Sequence, residues 1–162
     1  MKIRFATKSD IPVLVRLLRQ VGEVHHRGRP DVFRENALKY RQSDLEVLLQ
    51  DPDRPVFVAE QKQVVGYAFC IRQTVTGDPV LQNRRELYVD DLCVDENFRR
   101  QHVGAALYRA VTDYARREKF DAVTLNVWAC NPGAVEFYRQ MGLTPRKIGM
   151  ELRLEDRCAD QK

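Results

Sequence analysis

No stretch of the chain stays apolar for the roughly 18 residues that a membrane-crossing helix needs. Its opening, MKIRFATKSD, lacks the apolar centre of a secretion signal and reads as part of the fold. Cysteine is scarce. Cys70, Cys93, Cys130 and Cys158 form no CxxC pair and no zinc-ligand spacing, so neither a disulfide framework nor a metal site is expected. Reduced thiols and a cytoplasmic location are the matching expectation. No block of one charge sign occurs either: up to residue 80 there are 13 cationic against 10 anionic side chains, and beyond it 14 against 13. The net charge of +4 is therefore spread out, with no polybasic tail to recruit nucleic acid. Repeats, low-complexity tracts and linker-like boundaries are missing as well. One domain over 1–162 is expected, with a polar tail from 155 that frays.

What is present is periodic. A short strand at 3–6 precedes an apolar stripe, Ile11, Leu14, Val15, Leu18 and Val21, that predicts a helix ending before the loop HHRGRPD. QSDLEVLLQD predicts a shorter helix. VFVAE (56–60) and VVGYAFCIRQTV (64–75), separated by QKQ, predict a hairpin. ELYVDDLCV (86–94) is a further strand. Val103, Ala106, Leu107, Ala110, Val111, Tyr114 and Ala115 then keep helical spacing. A β-rich run (121–129), a short helix in NPGAVEFYRQMG and an alternating strand at 147–154 complete the order. The helix between 86–94 and 121–129 implies a parallel pair in an otherwise antiparallel sheet. The fold class is mixed α/β: a mostly antiparallel central sheet with a splayed parallel pair and helices on both faces.

The stretch DENFRRQHVGAALYRAV crowds Arg99, Arg100, Gln101 and His102 against the start of a helix. A helix start leaves backbone N–H groups without partners and carries partial positive charge, so this junction suits an anion such as a phosphate. A solvated turn with surface arginines is the simpler alternative.

RRQHVGAAL resembles the acyl-CoA-binding loop of the GNAT superfamily of N-acetyltransferases, with Arg99 at its first position, Gly104 at its last and His102 where a glycine usually stands. NPGAVEFYRQMGL resembles the same family's second motif, and the order of elements agrees over residues 2–154. The resemblance implies acetyl-CoA as cosubstrate and no metal. It implies that amides of Arg99, Arg100, Gln101, His102, Val103, Gly104 and Ala105 hold the pyrophosphate. Leu92 and Val94 would pair with the pantetheine arm, the amide of Leu92 or Cys93 would polarise the acyl carbonyl, and Asn131 and Ala134 would touch the cofactor. A residue at a helix start normally has negative φ, so His102 is expected to be tolerated there.

The resemblance places a proton donor for the departing thiolate at Tyr138, which could equally pack with Ala134, Phe137 and Met141 on the apolar face of its helix. For a base, the resemblance points to Asp90, with Asp91 and Glu86 behind it as residues that would otherwise bind substrate; a structural or substrate-orienting acid with no base role is the alternative. Neighbours on a strand point to opposite faces, so Asp90 and Asp91 share the cleft only across a bulge. His25 and His26, in the loop after the first helix, would line the acceptor pocket by the resemblance, with plain surface residues as the equal alternative. Cys93 is expected to pack rather than react. The implied activity is transfer of an acetyl group to a primary amine in a ternary complex. The acceptor would be a small molecule or a protein amine, and the acidic pair hints at a cationic one such as a polyamine or an aminoglycoside. A non-catalytic acyl-CoA-binding or sensing module is the alternative, and a homodimer is expected by analogy alone. No membrane or nucleic-acid partner is expected.

Overall fold

The computed structural model describes residues 1–154. The expected fray of the tail from 155, and Cys158 with it, lies outside those residues. Five strands form one sheet in chain order: β1 (Lys2–Phe5), β2 (Val56–Glu60), β3 (Val64–Val75), β4 (Arg84–Val94) and β5 (Ala122–Leu125). The first four are antiparallel, and β5 runs parallel to β4. Four α-helices accompany them, α1 (Ile11–Gly28), α2 (Gln42–Leu48), α3 (Val103–Arg117) and α4 (Pro132–Gln140).

Burial on both sides explains why β2 and β3 read as near-continuous apolar runs. Val56, Val58, Tyr67 and Phe69 face α1 and α2, where they meet Leu14, Leu17, Leu18, Leu45 and Leu48. Phe57, Ala59, Val65 and Ala68 face α3, where Val103, Leu107 and Val111 close the second core. Gly66 lies where β3, β4 and α3 crowd together: a Cβ there would stand 2.8 Å from the Cys93 carbonyl oxygen.

The decisive irregularity is in β4. Phe69 pairs with Asp91 and Cys70 with Val89, so Asp90 is an extra residue, a β-bulge. Directly beyond it the parallel pairing stops: Val89–Leu125 is the last register pair, while β4 continues along β3 to Val94. The expected splay of β4 from β5 therefore opens at the bulge.

Four expectations are corrected. His25 and His26 are in the last turn of α1, not in a loop, because the helix runs on to Gly28; a basic final turn complements the helix dipole. β5 ends at Leu125 because Asn126 turns to the Tyr88 hydroxyl (3.2 Å) and Trp128 turns to Phe33. Residues 147–154 form no strand. Ile148, Met150, Leu152 and Leu154 keep their alternation but are 78–89 % exposed, and Glu151 and Arg153 are tied by ion pairs to Arg29 and Asp31. Alternation sets which face a strand would bury, but pairing needs an edge to receive it. Finally, His102 has φ +59°, in the left-handed region, and Arg100 has φ +63°.

That last geometry carries a prediction. A left-handed backbone costs an L-residue about 1–2 kcal/mol, and glycine forgoes part of the gain through its freer unfolded chain. His102→Gly is expected to raise unfolding stability by about 0.5–1 kcal/mol in urea titrations, where an arbitrary surface change would be neutral or harmful.

Candidate active site

The parting of β4 and β5 opens a cleft of about 2260 Å³. Its walls come from the end of α1, the chain leading to α2, the bulge, the connection after β5, and α4. Of the residues singled out from the sequence, Asp90, Asp91, Leu92, His25, Asn131, Ala134 and Tyr138 line it. Glu86, His26, Cys93, Val94 and the loop Arg99–Ala105 do not.

The bulge brings Asp90 and Asp91 to the same side of the sheet, but into different roles. Asp90 is already engaged: its carboxylate accepts from the Tyr40 hydroxyl (2.6 Å) and pairs with Lys39 Nζ (2.9 Å), which also donates to the Asp90 carbonyl. Arg54 donates to the same Tyr40 oxygen at 2.9 Å. This network fastens the chain before α2 to the bulge. Asp91 receives one hydroxyl, from Tyr67 at 3.0 Å. Burial pushes its carboxyl up to about 6, and the Asp90 charge adds to the rise against the opposing influence of Lys39 and Tyr67.

Tyr138 projects from α4 with its ring against Tyr108 of α3, 6.1 Å between centroids. Burial, followed by the charge of Asp91, raises its phenol above the ordinary value of 10. The hydroxyl therefore stays protonated and is available as a hydrogen-bond donor. α4 is set by Asn131, whose Oδ1 accepts from the Ala134 amide at 3.1 Å, with Pro132 following in the first turn. The two motifs meet where a Cβ at Gly104 would stand 3.4 Å from the Phe137 ring.

Other candidates fall into supporting places. Glu86 is held by Arg84 (2.7 Å) and by Arg146, with Thr124 donating at 3.3 Å. The Cys93 thiol packs in the core, donates to the Leu17 carbonyl at 3.6 Å and is pushed up to about 12 by burial, so it stays a thiol. His26 Nδ1 is 2.8 Å from the Phe33 carbonyl oxygen, while His25 stacks on the Phe33 ring. Burial, with help from Lys39, holds His25 below its ordinary value, as a neutral imidazole.

At the anion end, Asp95 orders the approach to α3, accepting from the Asn97 amide (3.1 Å) and pairing with Arg16 (2.6 Å). The His102 carbonyl accepts the first bond of α3, from Ala106, which leaves the amides of Val103, Gly104 and Ala105 without intrahelical partners. β4 beyond Val89 likewise has no strand on its β5 side. An open helix start, a free strand edge and a long cleft suit a ligand with a phosphate group and an extended amide-bearing arm.

Sequence reading missed Lys39, Tyr40 and Tyr67. Only Tyr67 left a signal: a tyrosine inside an apolar strand needs a partner for its hydroxyl.

The model of the acetyltransferase (GNAT) family matches residues 18–143. The chain belongs to that family. An uncharacterized N-acetyltransferase of Methanocaldococcus jannaschii is 25 % identical over 147 residues, which cover 90 % of this chain and 62 % of that protein, so the chain spans less than two thirds of this relative's length. The crystal structure of a tetramutant of the BH1408 protein from Bacillus halodurans is 32 % identical with a TM-score of 0.91, over 95 % of this chain and 100 % of that one. At 15 % identity and a TM-score of 0.71, an aminoglycoside N-acetyltransferase crystallised with CoA shares the GNAT fold over 94 % of this chain and 98 % of its own.

Proposed function

We propose that the protein moves an acetyl group from acetyl-CoA to a primary amine, by direct transfer while both are bound. The observation that carries this reading is that Asp91 and Tyr138 line one cleft, which opens at the β4 bulge. Acetyl-CoA supplies the acyl group as an activated thioester. The first amides of α3, with Arg99 and Arg100 beside them, are suited to its pyrophosphate, and the free edge of β4 at Leu92 and Val94 is suited to its pantetheine arm. Asp91, rather than the engaged Asp90, takes the proton that an arriving ammonium must lose. A carboxylate at about 6 is a stronger base than one at its ordinary 3.8, and still ionised at neutral pH. Tyr138 donates its hydroxyl hydrogen bond to the departing sulfur. The chain's net chemistry is one proton released per amide formed, with the thiol leaving as CoA.

No helix among the described residues is long and apolar enough to cross a membrane. A cytoplasmic site of action, a homodimer and the absence of a nucleic-acid partner stand as part of this proposal.

Thermal unfolding with acetyl-CoA at about 100 times its dissociation constant tests it. The stabilisation should approach ~2.7 kcal/mol, a rise on the order of 5 °C for a chain of this size. Release of free thiol on adding an amine should follow. The second reading, a non-catalytic acyl-CoA module, draws on the left-handed His102; thermal stabilisation without thiol release from any amine would favour it.

A further inference from the structure

Given the acetyltransferase reading, we infer that the acceptor is a monoamine carried on a flat apolar body, and that the cleft is built against polycations. Seven Lys and Arg side chains line the cleft, and five of them are paired with the protein's own carboxylates: Arg29 with Asp31 and Glu151, Lys39 with Asp90, Arg84 and Arg146 with Glu86, and Arg116 with Asp113. Four carboxylates line it as well. Three of those four are already engaged within the protein: Asp90 by Lys39 and Tyr40, Glu151 by Arg29, and Asp121 by the Arg85 amide. Glu86 behind the wall is matched by Arg84 and Arg146. Among the described residues that line the cleft, Asp91 alone is left to receive an ammonium, and it can receive one. A polyamine or aminoglycoside brings several, and each further cation would find no second unengaged carboxylate among the described lining residues, with Arg139 and Lys147 adding charge of its own sign.

The apolar component is an aromatic cluster in the cleft walls. His25 stacks on Phe33 at 4.9 Å between centroids, and Phe33 meets Trp128 edge-on, also at 4.9 Å. Phe33 comes from the chain after α1 and Trp128 from the connection after β5, so aromatic side chains join the cleft's two walls. Trp128 keeps 42 % of its surface exposed. Lys39 links this cluster to the floor: its ammonium is bonded to Asp90 and its charge is felt by both His25 and Asp91. The cleft thus offers an amine bound at Asp91 an aromatic surface on its walls and, at Lys39, a fixed cation already paired with Asp90. That combination favours an arylalkylamine.

The test compares 2-phenylethylamine with spermidine and an aminoglycoside. The readouts are thiol release and, independently of turnover, calorimetric binding of each amine to protein saturated with CoA. The arylalkylamine should win in kcat/KM and in binding by at least about 10-fold. Phe33→Ala and Trp128→Ala should each raise its KM about 10-fold with kcat little changed; Phe33→Tyr should restore KM, and unfolding curves verify that each variant is folded. Lys39→Met should narrow the discrimination against spermidine. Tighter binding of spermidine or the aminoglycoside, or a KM indifferent to Phe33 and Trp128, overturns the inference while leaving acetyl transfer intact. Failure of acetyl-CoA to stabilise the protein would instead strike the acetyltransferase reading, and calorimetry of the same three amines on the protein without CoA would still show whether the cleft prefers the aromatic monoamine to the polycations.

Discussion

Asp91→Asn should cost on the order of 10²- to 10⁴-fold in kcat at neutral pH while making the folded protein more stable. The two effects have one cause. Burial at the floor of the cleft lifts the Asp91 carboxyl from its ordinary 3.8 to about 6. The native state therefore holds a proton that the unfolded chain releases across that interval, and stability from this group falls as pH rises from about 4 to 6. Above pH 6 the charged carboxylate is a net burden of about 1–3 kcal/mol, discounted for its access to the cleft. Asparagine removes that burden and can still accept from Tyr67. Urea unfolding of both proteins from pH 4 to 8 checks this: the advantage of the variant should grow to pH 6 and then level off. In wild type, kcat/KM should fall as pH drops through about 6, and the variant should lose that limb. If the variant is less stable at every pH, or keeps the acid limb, Asp91 is not the base.

Which of the two acids is tied up by ion pairing was illegible from the sequence, and the reason is register. Two adjacent acids on a strand face opposite ways unless a bulge intervenes. The bulge is set by how Phe69 and Cys70 pair across from β4, a fact about two strands at once. Patterns carried by one segment survived far better. β2 and β3 announced themselves through unbroken apolar runs, and the stripe of α3 through its 3.6-residue period. The Asn131 cap and Pro132 start of α4 were likewise local chemistry. Lys39 and Tyr40 sit in a segment without periodicity, and nothing local indicates that they close over residue 90 from some 50 positions away. His102 failed for a similar reason. A residue type narrows φ without fixing it, and the turn from the Glu96–Phe98 segment into α3 demanded the left-handed value.

Tyr138→Phe is expected to lower kcat on the order of 10- to 150-fold and leave acetyl-CoA affinity within about 2-fold. The size follows from what the hydroxyl can do. Its phenol lies above the ordinary value of 10, through burial and the nearby Asp91 charge, whereas a thiol titrates near about 8.5. Full proton transfer from this phenol to a thiolate is therefore uphill. The remaining contribution is a hydrogen bond to a developing negative charge, about 1.5–3 kcal/mol. Phenylalanine keeps the ring contacts with Tyr108 and Phe137, so unfolding should barely change. The same reasoning fixes the pH profile: Tyr138 adds no basic limb below about pH 10, and the profile of the variant should keep the shape of wild type. A variant that abolishes turnover and flattens the basic side would mean that the phenol ionises in the working range. The double variant with Asp91→Asn separates these roles further. The charge of Asp91 raises the Tyr138 phenol, so removing it makes the remaining hydroxyl a stronger hydrogen-bond donor, and the double variant should lose more than the two single losses combined. Strict additivity would place the two groups on separate steps, with the cleft floor no longer acting as one proton-handling unit.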